Sequence, residues 1–385
     1  MVIIMSENSN LTPKIRFKGF TDAWEQRKFD ETVNRISTGL NPRDNFVLNN
    51  GGKNYYVTIK NFTHGNLRLD SNCDMVDDVA LSMIQKRSDL QKNDILFTSI
   101  GRIGDCYLIE NKPKNWNINE SVFTLRSNQK IVEPKYLFHT IHTDKVLNQI
   151  LNDVTGSTFK SIKIADLKKI SIPVTSKEEQ LKIANFISNV DNLITLHQRK
   201  YDKLMKIKSS LLEKMFPKNS SNIPEVRFKG FTDAWEQRKL GDIYKFQYGE
   251  FNNNPSNGGK YPVYGANGII GGYTNYNTES SVIIGHMGEY AGSVLWGEGK
   301  HFVTYNGAIS KPKSDLINNK FGYYMLFHKD INKICGGSGL PFLSYEQLNK
   351  IDVSYPKDKK EQIAISNYLT NIDNLITLHQ LMPFL

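Results

Sequence analysis

Cysteine is scarce in this chain. There are three in 385 residues, Cys73, Cys106 and Cys335, odd in number and far apart. That spacing supports neither a disulfide framework nor a cluster of close metal ligands, and it fits a reducing compartment. Long apolar runs are also missing. No stretch approaches the ~18 apolar residues of a membrane span, and the opening MVIIMSENSN is apolar over too few residues for a secretory signal. The expectation is a cytoplasmic protein that does not associate with a membrane.

Catalytic signatures are absent as well. Gly-Lys pairs occur at Gly52, Gly259 and Gly299, but Asn, Tyr and His follow them where a phosphate-binding loop needs Ser or Thr, and the earlier glycine is lacking. Residues 265–272 are glycine-rich without forming G-x-G-x-x-G. H-E-x-x-H, G-x-S-x-G and Cys-His clusters do not occur. Asn-Pro-Pro-aromatic is absent too, and Glu298-Gly-Lys300 ends like a nuclease motif but lacks a plausible acidic partner upstream, and three-letter matches are common by chance. A chain without these features is expected to carry no chemistry, metal or cofactor of its own.

What the chain does have is positive charge and repetition. Its formal net charge is +10, which suits a polyanionic partner held by salt-dependent attraction. RFKGFTDAWEQRK occupies residues 16–28 and again 227–239. DNLITLHQ occupies 191–198 and again 373–380. The two spacings differ, so each half has a matching start and end around a middle that is shorter in the second half. Gly-Ser turns precede both matching ends, at Gly156-Ser157 and Gly337-Ser338. A whole domain has been duplicated; no short repeat period is present.

The middles have diverged. Short β-rich stretches between turn residues predict strands over 55–60, 94–99 and 121–126 in the first, and over 281–285, 293–296 and 308–311 in the second. TSIGRIGDCYLI around Gly101 is similar to GHMGEYAGSVLW around Gly288, and INESVF around Asn119 to YNGAIS around Asn306. The two middles are expected to share one fold.

Residues 177–216 contain neither proline nor glycine. Ile183, Ile187, Val190, Ile194, His197, Tyr201, Leu204, Lys208, Leu211 and Met215 follow one another at alternating steps of four and three, a heptad seam. Ser176 and Glu179 suggest a capping box at its start, and Pro217 ends it. Some forty helical residues span roughly 60 Å. The second copy keeps the pattern over 360–380 and then reads LMPFL, where Pro383 stops the helix. An antiparallel partner of that length covers only residues 197–216 of the first helix. Ile183, Ile187, Val190 and Ile194 are then left without a partner, with reduced stability and self-association as the expected consequences.

These features resemble the specificity subunit of type I DNA restriction–modification systems. The likeness covers essentially the whole chain and rests on the two RFKGFTDAWEQRK blocks, the divergent middles and the repeated helices. It implies an α+β fold, with two tandem mixed α/β target recognition domains in pseudo-twofold arrangement, separated by long helices that form an antiparallel coiled coil. The corresponding division is a first recognition domain over 1–176, a spacer helix over 177–217, a second recognition domain over 218–358 and a second, shortened helix over 359–385. It further implies that each middle reads half of a split site in double-stranded DNA. Two methylation subunits and the restriction subunits would dock on the repeated frame. S-adenosylmethionine, ATP and Mg would belong to those partners.

Base reading favours side chains with paired hydrogen-bonding groups, and phosphate contact favours cations and glycine-rich turns. The candidates in the first middle are Arg102, Lys112, Lys114, Lys160 and Lys163. In the second they are Lys260, Tyr264, Asn267, His286, Lys311 and Lys313. Trp24, Trp235, Ile183, Ile187, Val190, Ile194, Leu204 and Leu211 are assigned to packing, the helix seam or partner docking. Three other readings compete: a self-contained nuclease-methyltransferase, a coiled-coil scaffold that binds protein alone, and an inactive truncated remnant. The first lacks its motifs, and a scaffold does not explain two diverged middles in a basic chain.

Overall fold

The computed structural model describes the chain except residues 1–2, 6–11, 64, 153, 155–159, 219–220, 253–254, 256–257, 336–340 and 382–385. The two Gly-Ser turns lie outside the described residues. The chain forms two compact units, Met1–Leu193 and Ile194–Leu385. The division falls inside one helix, Lys177–Met215, and not at its ends. Among the described residues no helix is long and apolar enough to cross a membrane.

In the first unit the repeated block supplies the strand Glu25–Lys28, paired antiparallel with Ser171–Val174 just before the long helix. A helical turn, Phe29–Thr32, then leads into a four-stranded sheet. Its order is Cys106–Leu108, Ile95–Thr98, Val122–Ser127 and Val33–Thr38. A second sheet has the order Trp116–Ile118, Asn54–Val57 and Asp74–Val76, the first two strands running parallel. The expected strand over 55–60 is cut short at Val57. The Thr58 side chain caps a 3-10 turn over Ile59–Asn61 and ends the extended run there. Phe29, Ile95, Phe97, Leu125, Leu137 and Ile172 form the buried core.

The second unit follows the same plan. Glu236–Lys239 pairs with Asp352–Tyr355, and Leu240–Ile243 makes the helical turn. One six-stranded sheet has the order Tyr244–Tyr248, Gly307–Pro312, Thr278–Gly285, Val294–Val303, Tyr261–Gly265 and Gly268–Tyr273. Its first four strands repeat, in reverse order of mention, the four-stranded sheet of the first unit. Its last three repeat the smaller sheet, including a parallel pairing of Val263 and Tyr264 with Phe302 and Val303. Val294–Val303 runs unbroken through both parts, whereas the first unit breaks the same path into Cys106–Leu108 and Trp116–Ile118. The two middles are one fold, as their faint similarity suggested.

The constant frame is also a constant hydrogen-bond pattern. Arg16 forks onto the Glu179 carboxylate at 2.6 and 2.8 Å, and Arg227 onto Glu361 at 2.7 and 2.8 Å. The indoles of Trp24 and Trp235 donate to the same two carboxylates. Gln180 accepts from the Glu133 N–H and donates to the Ile131 carbonyl; Gln362 does the same with Asn318 and Leu316. Apart from the half-buried Trp24, these side chains are buried or nearly so, and the bidentate geometry offsets much of the desolvation that burial costs. The capping box is only half formed. Ser176 accepts from the Glu179 N–H at 3.4 Å, but the Glu179 side chain turns away to meet Arg16.

The two expected helices are present as Lys177–Met215 and Lys359–Leu381. Inside the second unit they pack antiparallel. His197 meets His379 through their Nδ1 atoms at 2.8 Å, and the Lys208 ammonium sits 2.6 Å from Asp373. Leu212, Met215 and Phe216 are buried with Trp235, Ile365 and Leu369 in the core of this unit. Full burial of side chains of this size contributes about 1.5–3 kcal/mol each. His197, Tyr201, Leu204, Lys208 and Leu211 are half-buried along the seam, whereas Val190 and Ile194 are exposed.

Candidate nucleic-acid interface

The candidate residues of the first unit fall into two groups. Arg102 stands in a tight turn held by backbone bonds from Thr98 N–H to Asp105 and from Gly104 N–H to Thr98. Gly101 and Gly104 take positive φ there, 68° and 92°, so the turn suits glycine at both positions. The Arg102 guanidinium lies 3.2 Å from Asp105 and also donates to the Ile59 and Phe62 carbonyls, yet half of the side chain remains exposed. The segment bearing Lys160 and Lys163 joins this turn: Ile100 bridges Ser161, and the Ile162 N–H donates to Ser99. Lys160 and Lys163 are exposed.

Lys112 and Lys114 belong to the second group. Both are exposed on the segment that leads into Trp116–Ile118, and the Asn115 carbonyl accepts from the Tyr55 N–H. This places them beside the start of Asn54–Val57, where Lys53 is exposed. Lys53 was missed by sequence reasoning, although a signal was available. NNGGKNYYV (residues 49–57) and SNGGKYPVY (residues 256–264) each carry Gly-Gly-Lys ahead of a strand. The Gly-Lys pairs rejected as phosphate loops at Gly52 and Gly259 are one repeated turn. Gly51 and Gly258 take φ of 73° and 82°. A Cβ on Gly52 would lie 2.2 Å from the Val76 backbone, and one on Gly259 would lie 2.2 Å from that of Tyr273. Lys260, exposed, follows the second turn as Lys53 follows the first. Lys300 is also exposed, with its ammonium 4.7 Å from the Tyr276 ring centroid.

The second unit repeats the Arg102 turn with other side chains. Gly285 N–H donates to Ser293 and Gly292 N–H to Gly285, while Gly288 and Gly292 take φ of 80° and 83°. Gly101 and Gly288 occupy matching places, so the exposed position after each is Arg102 in one unit and Glu289 in the other. Asn267, exposed at the tip of the hairpin between Tyr261–Gly265 and Gly268–Tyr273, comes to this turn through the Ser293 hydroxyl, which donates to the Ala266 carbonyl.

Four candidates behave otherwise. His286 is 4% exposed, stacked on Tyr248 with ring centroids 4.1 Å apart, and its Nε2 is bonded to the Tyr305 carbonyl. Burial is the main reason that its pKa lies below the ordinary value, the backbone contacts acting in the opposite sense. Tyr264 is packed with Ile283, Val303 and Ile309. Both are corrected here from contact residues to packing residues: the inward side of a strand or turn claims them. Lys311 and Lys313 are separated from the other candidates because Gly307–Pro312 runs back toward the frame. Lys311 donates to Gln247 at 2.9 Å, and Lys313 to the Gly241 carbonyl.

The tryptophans divide. Trp235 is buried with Phe216 against it, ring centroids 5.8 Å apart, and is a core residue; Trp24 is half-buried.

The family profile described as type I restriction modification DNA specificity domain matches residues 21–206 and 232–382. The MjaVIII type I restriction enzyme specificity subunit of Methanocaldococcus jannaschii is 24% identical over 338 residues, covering 77% of this chain and 76% of that one. The putative MjaX specificity subunit of the same organism is 24% identical over 387 residues, covering 92% and 88%. The crystal structure of the type I restriction-modification S subunit from M. genitalium superposes with a TM-score of 0.69 at 20% identity, covering 100% of this chain and 95% of that one, a likeness of fold.

Proposed function

The chain belongs to the type I restriction modification DNA specificity family, and we propose that it reads a split DNA site, one half with each unit, for a complex whose chemistry lies in other subunits. One observation carries this reading. Two frames with the same hydrogen bonds hold two sheets of the same order, and matching turns on those sheets present Arg102 in one unit and Glu289 in the other. A constant frame suits repeated docking of identical partners, and a varied rim suits two different half-sites. Lys53, Lys112, Lys114, Lys260 and Lys300 are assigned to phosphates, where cations position the duplex. Arg102, Lys160, Lys163, Asn267 and Glu289 are assigned to the base-reading rim.

In this reading the chain carries no catalytic residue. Methylation subunits bring S-adenosylmethionine, restriction subunits bring ATP and Mg, and both sets dock on the repeated frame. The test is co-expression with the cognate methylation subunit, followed by mapping methylated adenines across a genome. A two-part motif with a fixed gap is the expected result. Methylation by this chain alone would overturn the division of labour, and a complex that neither methylates nor binds DNA would return the chain to a protein scaffold or remnant.

A further inference from the structure

The smaller sheet of the first unit and its match in the second differ in what lies on one face. The Asn119 N–H donates to the Val57 carbonyl and the Thr304 N–H to that of Tyr264, so Tyr261 stands where Asn54 does, and Phe302 where Asn117 does. In the first unit the helix Asp78–Ser88 lies on these positions. Asn54 donates to Asp78 at 2.8 Å, Asn117 accepts from the Ser88 hydroxyl at 2.6 Å, and Tyr56 packs with Ala80, Leu81 and Ile84. The second unit has no helix at that place: residues 274–277 lead directly from the strand Gly268–Tyr273 to Thr278–Gly285. The face instead holds a cleft of about 730 Å³, lined among the described residues by the rings of Phe251, Tyr261, Tyr273, Tyr276 and Phe302. Phe251 is 71% and Tyr276 45% exposed, aromatic surface that folding leaves open to water. The Tyr261 and Tyr276 ring centroids are 5.1 Å apart, and a cation attends each ring. The Lys260 ammonium lies 5.7 Å from the Tyr261 centroid and that of Lys300 4.7 Å from the Tyr276 centroid.

We propose that this cleft holds one unstacked nucleotide of a DNA strand, its base on the Tyr261 and Tyr276 rings and its phosphate at Lys260 and Lys300. The chemistry of the walls selects the ligand. Aromatic rings in reach of solvent suit a base lifted out of the duplex stack. Ammonium groups already placed on two of the rings disfavour a cationic guest and favour one with negative charge. Glu279 stands opposite Lys300 in the strand register and lessens its share of that attraction, so Lys260 carries more of it. Glu250 and Asn275, both exposed at the cleft, supply a carboxylate and an amide for the edge of the base. The matching face of the first unit is filled by its own helix, so the second unit takes a nucleotide in this way and the first does not. The proposal rests on the reading of this chain as one that binds DNA, and adds to it a base held outside the stack.

A short fluorescein-labelled oligothymidylate is the first probe, titrated against the full chain by anisotropy. Tyr276→Ala and Phe251→Ala, at exposed positions, should each weaken binding roughly fivefold or more without changing the circular dichroism or the salt dependence, whereas Tyr276→Phe should bind as the wild type does. Lys260→Ala should lower the slope of log affinity against log salt by about 0.7. Alanine variants that both bind like the wild type would overturn the proposal, because charge alone would then account for the affinity. Displacement of the oligothymidylate by micromolar AMP would also overturn it, because a free nucleotide would then be the occupant. The second probe is a duplex bearing the mapped two-part motif, with 2-aminopurine scanned through the half read by the second unit. One position should change in fluorescence when the wild-type complex binds and not when Tyr276→Ala does. A bound duplex with no such position would overturn the proposal. A complex that leaves the duplex unbound, while the oligothymidylate still depends on Tyr276, would instead end the half-site reading and leave the nucleotide site standing.

Discussion

At the residue scale the buried Arg16–Glu179 pair joins the two ends of the first frame. Glu179 is fully buried and Arg16 nearly so. Removing one partner leaves an uncompensated buried charge, so Glu179→Ala should cost about 3–5 kcal/mol in urea unfolding, and a double replacement by apolar side chains should cost less. The pair also sets an acid limit. Burial alone would raise the Glu179 pKa, but the hydrogen bonds from Arg16 and Thr175 and the Arg16 charge overcome it and bring the value below the ordinary 4.5. A depressed carboxylate contributes stability above its unfolded pKa and loses it as pH falls through the folded one. Acid unfolding monitored in the wild type and in Glu179→Gln should therefore diverge above pH 4.5 and converge below it. Among surface residues, Lys53→Ala and Lys260→Ala should each weaken DNA binding for all sequences alike. Each should reduce the slope of log affinity against log salt by about 0.9 if it meets one phosphate.

At the scale of elements, the helix pair of the second unit contains a proton-sensitive contact. One Nδ1 of the His197–His379 pair must donate and the other accept, so two protonated rings cannot keep it. His379 is lowered below its ordinary value, first by desolvation and then by the His197 and Lys200 charges. A lowered histidine contributes stability that is present above 6.5 and disappears as pH falls through the folded value. Differential scanning calorimetry should show the second unit melting at lower temperature at pH 5 than at pH 8, with a smaller pH effect in His379→Gln. The seam itself could be read from spacing. Its uneven burial could not, because exposure at Val190 and burial at Ile372 depend on what another segment places above each.

At the scale of the molecule, the shared strand order predicts that the units are exchangeable. Replacing residues 244–344 with the matching region of another specificity subunit should change one half of the methylated motif and leave the other half and its orientation intact, as methylome sequencing would show. A change in both halves would mean that the units do not read independently.

Much of this organisation was legible in the chain itself. Identical blocks imply identical frames, a proline-free heptad run implies a long helix, and glycines at matching places imply matching turns, since local geometry follows from local residue type. The Gly-Gly-Lys repeat was equally legible, yet only its second copy, at Lys260, stood out as a DNA contact, because Gly52-Lys53 matches no phosphate loop. Other outcomes depended on distant neighbours. Whether Glu179 would cap its helix or hold Arg16, whether Tyr264 and His286 would face inward, and which tryptophan would be buried were decided by packing. Residue order alone establishes a duplicated frame with two divergent inserts. The folded chain settles that Glu179 and Glu361 are each buried beneath an arginine and that Trp235 is core, because these contacts join residues far apart in the chain, which no local pattern encodes.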